Sequence, residues 1–458
     1  MSKRKRYVVV GAGGRWIYTK AIVKDMKATC ELVGICDNNH GRMEVRNQKI
    51  INELSSKAVP MFLDTQFDDM IQQLKPDVVV IASVDSTHDY YIIRAMELGC
   101  DVICEKPMTT DEHKCQRIVD AVNETGRDLK ITFNCRYMPA MVQVKDLLMQ
   151  GIIGNIRSLD VNWVLDVDHG ASYFRRWNGE MKKSGGLLLH KASHHFDLVN
   201  WFLSANPVEV FAMGDRVFYG ADSGMVERYG LQGHGPRCLG CPVSAKCPFF
   251  TDISKDAKFK ELYLDCEKFD GYWRDRCVWH PAIDIQDTMN VTVRYDTGTF
   301  LTYSLNTFSP YEGFRYSFNG DKGRLEFESI GAPKNPQGEN LPAEGLPLGK
   351  RIRIYPHFKA ARSIPVSEGQ GGHDGGDDRL VADLFDGKAS EDTFLRAAGY
   401  TSGALSILIG AAANKSMRTG LPVSIESLVK NLPPANLPKM ESGWECAEKS
   451  HSPESRLN

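Results

Sequence analysis

Two short stretches carry most of the chemistry legible in this chain. Val8-Val9-Val10 runs into Gly11-Ala12-Gly13-Gly14, and a later apolar run ends in Glu105-Lys106-Pro107. Glycines at 11 and 13 permit a tight turn and let a diphosphate approach the main chain. A helix starting near Arg15 would add free N–H groups and a positive dipole end. Trp16 stands where such a turn usually has its third glycine, so the helix should stand off the strand or the indole should swing outward. Asp37 closes the second apolar run, 24 residues beyond Gly13 (37 minus 13). A carboxylate there binds ribose hydroxyls and repels a 2′-phosphate, which favours NAD. Arg15 and Arg42 keep NADP as an alternative.

A second group of reactive side chains is the five cysteines between residues 238 and 277. Cys238-Leu239-Gly240-Cys241 is a C-x2-C knuckle, Cys247 follows, and Cys266 and Cys277 come later. A knuckle plus two further thiolates suits a structural zinc ion. An iron–sulfur cluster is the alternative, because Pro242 and Pro248 directly follow two of the cysteines. Arg274 and Arg276 would favour the Cys277 thiolate as fourth ligand, whereas Asp265 and Glu267 flank Cys266 and would disfavour it. Such a site would fold a segment poor in apolar residues. Its Tyr272, Trp273 and Arg274 could then wall a substrate pocket.

The elements that must position these groups follow from the apolar pattern. From Tyr7 to about residue 138, short β-branched runs (Val8 to Val10, Leu32 to Cys36, Val78 to Ala82, Asp101 to Cys104) alternate with helical patterns. That is a βαβ series building a doubly wound parallel sheet. After a helix over Met141 to Gln150, alternating strands dominate: Ile156 to Leu165, Val208 to Arg216, Thr288 to Tyr295, Phe300 to Phe308 and Phe314 to Phe318. They predict a second α/β domain with a large, open, mostly antiparallel sheet. One helix, Leu188 to Leu203, interrupts them. The expected organisation is 1–138 for the dinucleotide domain and 139–432 for the second domain, with a Cys-rich insertion at 221–286. A polar arm over 433–458 completes the chain. Gly331 to Gly349 reads as an exposed loop.

Composition narrows the partners. Lys plus Arg number 56 and Asp plus Glu 58, so no global field favours nucleic acid or an anionic membrane. No segment approaches the roughly 18 apolar residues of a membrane span. The basic start, Met1-Ser2-Lys3-Arg4-Lys5-Arg6, leads into an apolar run broken at Gly11, unlike a secretory signal. A cytoplasmic protein is expected.

The run Pro76-Asp77-Val78-Val79-Val80-Ile81-Ala82-Ser83, then Thr87-His88 and Glu105-Lys106-Pro107, resembles the Gfo/Idh/MocA oxidoreductase family. The segment Ser184-Gly185-Gly186-Leu187-Leu188-Leu189-His190-Lys191-Ala192-Ser193-His194-His195-Phe196-Asp197 resembles that family's second signature. The resemblance implies hydride exchange between NAD(P) and a sugar or cyclitol, and an open sheet that joins subunits into a homodimer or homotetramer. It adds Ser83, His88 and Glu105 to the cofactor set of Gly11, Gly13, Gly14, Arg15, Trp16, Asp37 and Lys106. It places Lys106 beside the nicotinamide and the reacting alcohol, His194 as partner acid/base and Asp197 one helical turn on. The Lys106–Pro107 peptide is expected to be cis.

Chemistry agrees with these roles. Taking hydride from an alcohol requires a proton acceptor on its oxygen, which an imidazole supplies near neutral pH. A lysine ammonium offsets the developing negative charge. Asp197, three residues after His194, could orient its ring. Where the family commonly has aspartate, this chain has His190, suited to a substrate hydroxyl, to shared acid/base work, or with His194 to a metal ion. Arg136 and Tyr137, with Asn134, and Tyr173, Arg175 and Arg176, with Trp177, are further candidates to line a polyhydroxylated substrate. His373 could join them late. Redox-assisted glycoside cleavage or epimerisation, with NAD regenerated each cycle, would use the same residues. A non-catalytic cofactor-binding sensor is a third reading, which the pairing of Lys106 with His194 disfavours.

Overall fold

The computed structural model describes residues 4–385 and 392–440. Cys446 and most of the expected polar arm lie outside the described residues. The first sheet contains β1 (Lys5–Val10), β2 (Cys30–Cys36), β3 (Met61–Phe62), β4 (Val78–Ile81), β5 (Asp101–Cys104) and β6 (Leu129–Ile131). All pair in parallel. Helices cover both faces, so the strands read as uninterrupted apolar runs, and Val8, Val79 and Val80 are fully buried. The order β6-β5-β4-β1-β2-β3 reverses direction between β4 and β1. A crevice opens there beyond the carboxyl ends of the strands, where open α/β sheets bind ligands.

Two later segments return to complete this body. The helix Gly376–Phe385 buries Val381 and Phe385 against the first sheet, with Phe385 edge-on to Tyr7 at 5.3 Å. The short strand β15 (Ala398–Gly399, numbered after those described next) pairs antiparallel with β6.

The second sheet has nine strands among the described residues: β7 (Ile156–Asp166), β8 (Pro207–Asp215), β9 (Thr288–Tyr295), β10 (Phe300–Ser309), β11 (Tyr311–Gly320), β12 (Gly323–Pro333), β13 (Gly349–Pro356), β14 (Arg362–Ile364) and β16 (Val423–Ser424). Only β7 and β10 pair in parallel. Residues on β9 alternate between buried and exposed. One face packs under helices Ala192–Leu203 and Tyr400–Thr419, and the other is open, with Phe211, Met213 and Phe300 exposed.

The segment expected as a loop at 331–349 is shorter than the sequence suggested, because β12 runs on to Pro333. Charge hid β12 and β13: Glu326 and Glu328 face Arg351 and Arg353 across the pair, at 2.9 to 3.6 Å. Cross-strand ion pairing of this kind, around a Glu328 that is itself buried, masks an apolar alternation. The insertion holds short helices rather than sheet. An aromatic cluster of Phe218, Tyr219, Phe249 and Trp279 packs it onto the second domain. Inside it, Arg237 bridges Glu267 and the buried Asp275.

Candidate active site

The loop after β1 passes close against β4. Gly11 has φ +104°, and a Cβ there would lie 2.4 Å from the carbonyl oxygen of Ala82. No side chain fits that position. Arg46 donates to the Ala12 carbonyl at 3.0 Å and also to that of Gly13, committing those oxygens away from the crevice. The N–H groups of Gly13 and Gly14 have no partner among the described residues and border a cavity of about 900 Å³. Free amides beside a helix start are what a diphosphate requires. Trp16 neither opens the turn nor swings free: it is half-buried, with the Arg46 guanidinium 5.0 Å above its ring. Asp37 lines the same cavity and accepts from the N–H groups of Ala12 (2.6 Å) and Asn39 (2.8 Å). The residues present fit a nicotinamide dinucleotide.

Toward the other end of the cavity, Glu105 is a buried anchor. It accepts from Tyr18 Oη at 2.5 Å and faces Arg15 Nε at 2.5 Å. Burial opposes its charge, but Arg15, Tyr18 and Lys106 prevail and hold the carboxyl below the usual range. His88 bridges the carbonyls of Pro107 (2.8 Å) and Ser83 (3.3 Å), tying the loops after β4 and β5 together. The Lys106–Pro107 peptide is cis. Lys106 reaches across the domain junction to donate to the His190 carbonyl at 3.1 Å. Burial lowers its ammonium to about 8 against the opposing pull of Asp85 and Glu105.

The signature helix is broken. Helical turns Leu187–His190 and Ala192–Leu203 flank Lys191, and of the two histidines only His190 lines the cavity. Its Nδ1 lies 2.5 Å from Asp85 Oδ2, and its Nε2 accepts from Asn178 Nδ2 at 3.0 Å. Burial, reinforced by Lys106 and Arg176, holds this imidazole well below its ordinary value. His194 sits behind, outside the residues lining the cavity, and its Nδ1 is buried without a partner among the described residues. His373 lies 6.5 Å from it, ring to ring, and bonds Asp377.

Several expected substrate contacts are instead structural. Asp197 does not orient His194; it forms a two-pronged ion pair with Arg136, at 2.8 and 2.6 Å, with both side chains almost wholly buried. That pairing also removes Arg136 from the cavity. Tyr137 is buried and donates to Asp383 at 2.5 Å, and Asn134 holds Asp377 at 2.7 Å. Arg175 turns toward the cysteine-rich segment, donating to Cys238 Sγ at 3.1 Å and to the Phe249 carbonyl. Tyr173 supports the wall from behind, bonded to His169 and edge-on to His190 at 5.3 Å. Arg176 and Trp177 do face the cavity.

Asp85 and Asn178, which complete the His190 hydrogen bonding, were not singled out in the sequence. An acidic residue directly after the loop of β4 was the available signal for Asp85. Nothing in the sequence marked Asn178.

The insertion roofs the cavity and reaches the first domain. Asn39 Nδ2 donates to the Cys266 carbonyl at 2.9 Å, Lys49 pairs with Glu261 at 2.9 Å, and Arg42 pairs with Asp270. Tyr263, Tyr272, Trp273, Arg274 and Arg276 line the cavity. Cys238, Cys241, Cys247 and Cys277 surround a separate small cavity with Arg175 and His234, while Cys266 stands apart facing the first domain. Among the described residues, no group of three or more His, Cys, Asp or Glu is arranged to hold a metal ion. Zinc or an iron–sulfur cluster is therefore not supported. Cys238 takes a guanidinium, Cys241 an amide N–H and Cys277 the ring of His234. Aromatic packing holds the insertion to the second domain. The lack of a metal-holding group among the described residues also removes support for a metal ion between His190 and His194.

Residues 5–133 match the NAD-binding Rossmann-fold domain of the Gfo/Idh/MocA oxidoreductase family, and residues 145–425 match that family's C-terminal alpha/beta domain. The Bacillus subtilis (strain 168) protein named "Putative oxidoreductase YteT" is 36% identical over 423 residues, 90% of this chain and 95% of that protein. "Inositol 2-dehydrogenase 2" of Saccharopolyspora erythraea is 29% identical over 148 residues, 32% of this chain and 41% of its own. The WlbA dehydrogenase of Bordetella pertussis, solved with NADH and UDP-GlcNAcA, shares the fold at a TM-score of 0.57 and 18% identity, covering 92% of this chain and 99% of its own. With both domains matched, a dinucleotide crevice at the sheet's switch point and Lys106 at the domain junction, the chain belongs to the Gfo/Idh/MocA family of NAD(P)-dependent oxidoreductases.

Proposed function

We propose that the protein oxidises a secondary hydroxyl of a sugar, sugar derivative or cyclitol, with NAD as the partner. The observation that carries this reading is the convergence of Lys106, His190 and Asp85 in the cavity that also holds Gly13, Gly14 and Asp37. A bound nicotinamide would take the hydride from the carbinol carbon. The chain's own residues handle the proton. The C–H electron pair leaves with the hydride, the O–H bond breaks, and the carbonyl forms from that oxygen. Lys106, lowered to about 8 by burial, exchanges protons close to neutral pH and takes the hydroxyl proton. The imidazole of His190, steadied by Asp85, hydrogen-bonds the same hydroxyl once Asn178 yields its place. His194, one layer back, positions this wall rather than touching the substrate.

The Asp37 carboxylate favours NAD, since a 2′-phosphate would meet both it and the Asp270 that engages Arg42. The open face of the second sheet, with Met213, Phe211 and Phe300 exposed, supports a homo-oligomer joined there. Absorbance at the NADH band, with NAD and a panel of sugars, cyclitols and glycosides, tests the function. Lasting NADH with a free sugar or cyclitol is expected. Aglycone release without net NADH would instead establish the redox-neutral cycle, and neither signal from any compound would overturn both.

A further inference from the structure

Apart from Lys106, the cations lining the cavity fall into two classes. Arg15 is matched by Glu105, Arg42 by Asp37 and Asp270, and Lys183 and Arg276 by Glu180. Arg176 and Arg274 are different: neither has a carboxylate within ion-pair distance among the described residues. Arg176 is held in place through its Nε, which donates to the Ser172 carbonyl at 2.8 Å, and its guanidinium lies 5.3 Å over Tyr173. Arg274 stacks on Tyr263 (4.4 Å) and Phe259 (4.5 Å). Aromatic faces steady both planar groups while leaving their edges free. Arg176, Tyr272 and Arg274 line the same cavity. Tyr272 Oη is buried and has no hydrogen-bond partner among the described residues. Two guanidiniums without a contact ion pair, and a hydroxyl without a partner among the described residues, favour a ligand that brings negative charge to this wall.

We infer that Arg176, Arg274 and Tyr272 form an anion pocket, and that the substrate is an acidic sugar whose carboxylate or phosphate ester docks there. This rests on the proposed oxidoreductase reading. The cofactor's own diphosphate is the competing anion. Its cradle is the amide turn at Gly13 and Gly14, which the Tyr263 ring under Arg274 borders, whereas Arg176 lies over Tyr173, which is edge-on to His190 at the reacting end. Arg176 comes from the second domain and Arg274 and Tyr272 from the insertion. The insertion thereby selects the substrate as well as roofing the cofactor.

The test compares D-glucuronate and D-galacturonate with D-glucose and D-galactose, and glucose 6-phosphate with glucose, on NAD-loaded full-length protein. Reduction of NAD is followed by absorbance, and binding of each sugar by calorimetry. One class of acid, carboxylate or phosphate, should exceed its neutral counterpart at least about tenfold in kcat/KM, and the better class identifies the anion. Arg176→Gln and Arg274→Gln should collapse that ratio about ten- to a hundredfold, the usual weight of a charge-assisted hydrogen bond. Tyr272→Phe should lower it less, and NADH affinity should hold in all three. Equal use of acidic and neutral sugars, or equal losses for both in the variants, overturns the pocket. So does a loss of NADH affinity, which would assign the cations to the cofactor. If no sugar is oxidised, the function fails but the pocket is still judged by calorimetry: acid binding that the arginine variants abolish supports it, and its absence refutes it.

Discussion

Asp197→Asn separates a structural role for this carboxylate from a catalytic one. Asp197 and Arg136 are 1% and 0% exposed and meet through two hydrogen bonds. Replacing the carboxylate by an amide leaves a guanidinium buried with one neutral acceptor and a clash of donors on the other prong. Breaking a buried pair from one side costs about 3–5 kcal/mol. Arg136 keeps a bond to the Leu395 carbonyl at 3.3 Å, which places the expected loss toward the lower end, near about 3 kcal/mol. Urea unfolding followed by tryptophan fluorescence measures it, since Trp201 lies on the same helix as Asp197. The double variant Asp197→Leu with Arg136→Met should recover most of the loss, because an apolar pair needs no compensation. Turnover at a temperature where Asp197→Asn stays folded should remain within about threefold of the parent. Unchanged stability with turnover reduced about a hundredfold, the scale of acid/base effects, would refute the reasoning and return Asp197 to the chemistry.

Alcohol oxidation should depend on the Lys106 amine. Its folded value near 8 means kcat/KM rises about tenfold per pH unit below 8 and levels off above it. A pH profile checks this, and the inflection should vanish in Lys106→Met. Asp270→Ala removes the partner that Arg42 finds in the insertion. It should speed NADH release several-fold in stopped-flow fluorescence, with little change in melting temperature. Lys145 is wholly buried, donating to Ser204 Oγ at 2.7 Å, and burial with Arg136 nearby lowers it to about 7. Because the unfolded lysine titrates higher, the folded state binds fewer protons between about 7 and 10.4, and stability rises with pH across that window. Lys145→Met should therefore be more stable than the parent, by up to about 4 kcal/mol below pH 7, with the gap closing toward pH 10 in urea titrations.

The features legible in the sequence are those that depend on local pattern. Gly11, the Asp37 spacing and Glu105-Lys106-Pro107 sit at the ends of parallel strands, where periodicity and turn chemistry suffice. Long-range pairing was not legible. Asp197 lies three residues after His194, which suggested a helical contact, yet the buried Arg136 claims it from 61 residues away. His190 and His194, whose spacing suggested one face, divide between the cavity wall and the layer behind it. Arg175 and Arg176 are adjacent in sequence but serve different cavities, because successive side chains at a helix end diverge. The insertion showed its cysteines and, in Tyr272, Trp273 and Arg274, a wall for the pocket, but not its contacts with the first domain. The contacts that create the roof, Asn39 to Cys266 and Arg42 to Asp270, join segments more than two hundred residues apart.

A single-turnover measurement shows whether Lys106 takes the hydroxyl proton. NAD-loaded protein and its Lys106→Met variant are mixed with the sugar and cyclitol panel, and absorbance at the NADH band is followed. The account predicts NADH formation by the parent with at least one compound and a loss of about a hundredfold or more in the variant, with NADH affinity retained. Equal rates in the two proteins would contradict it.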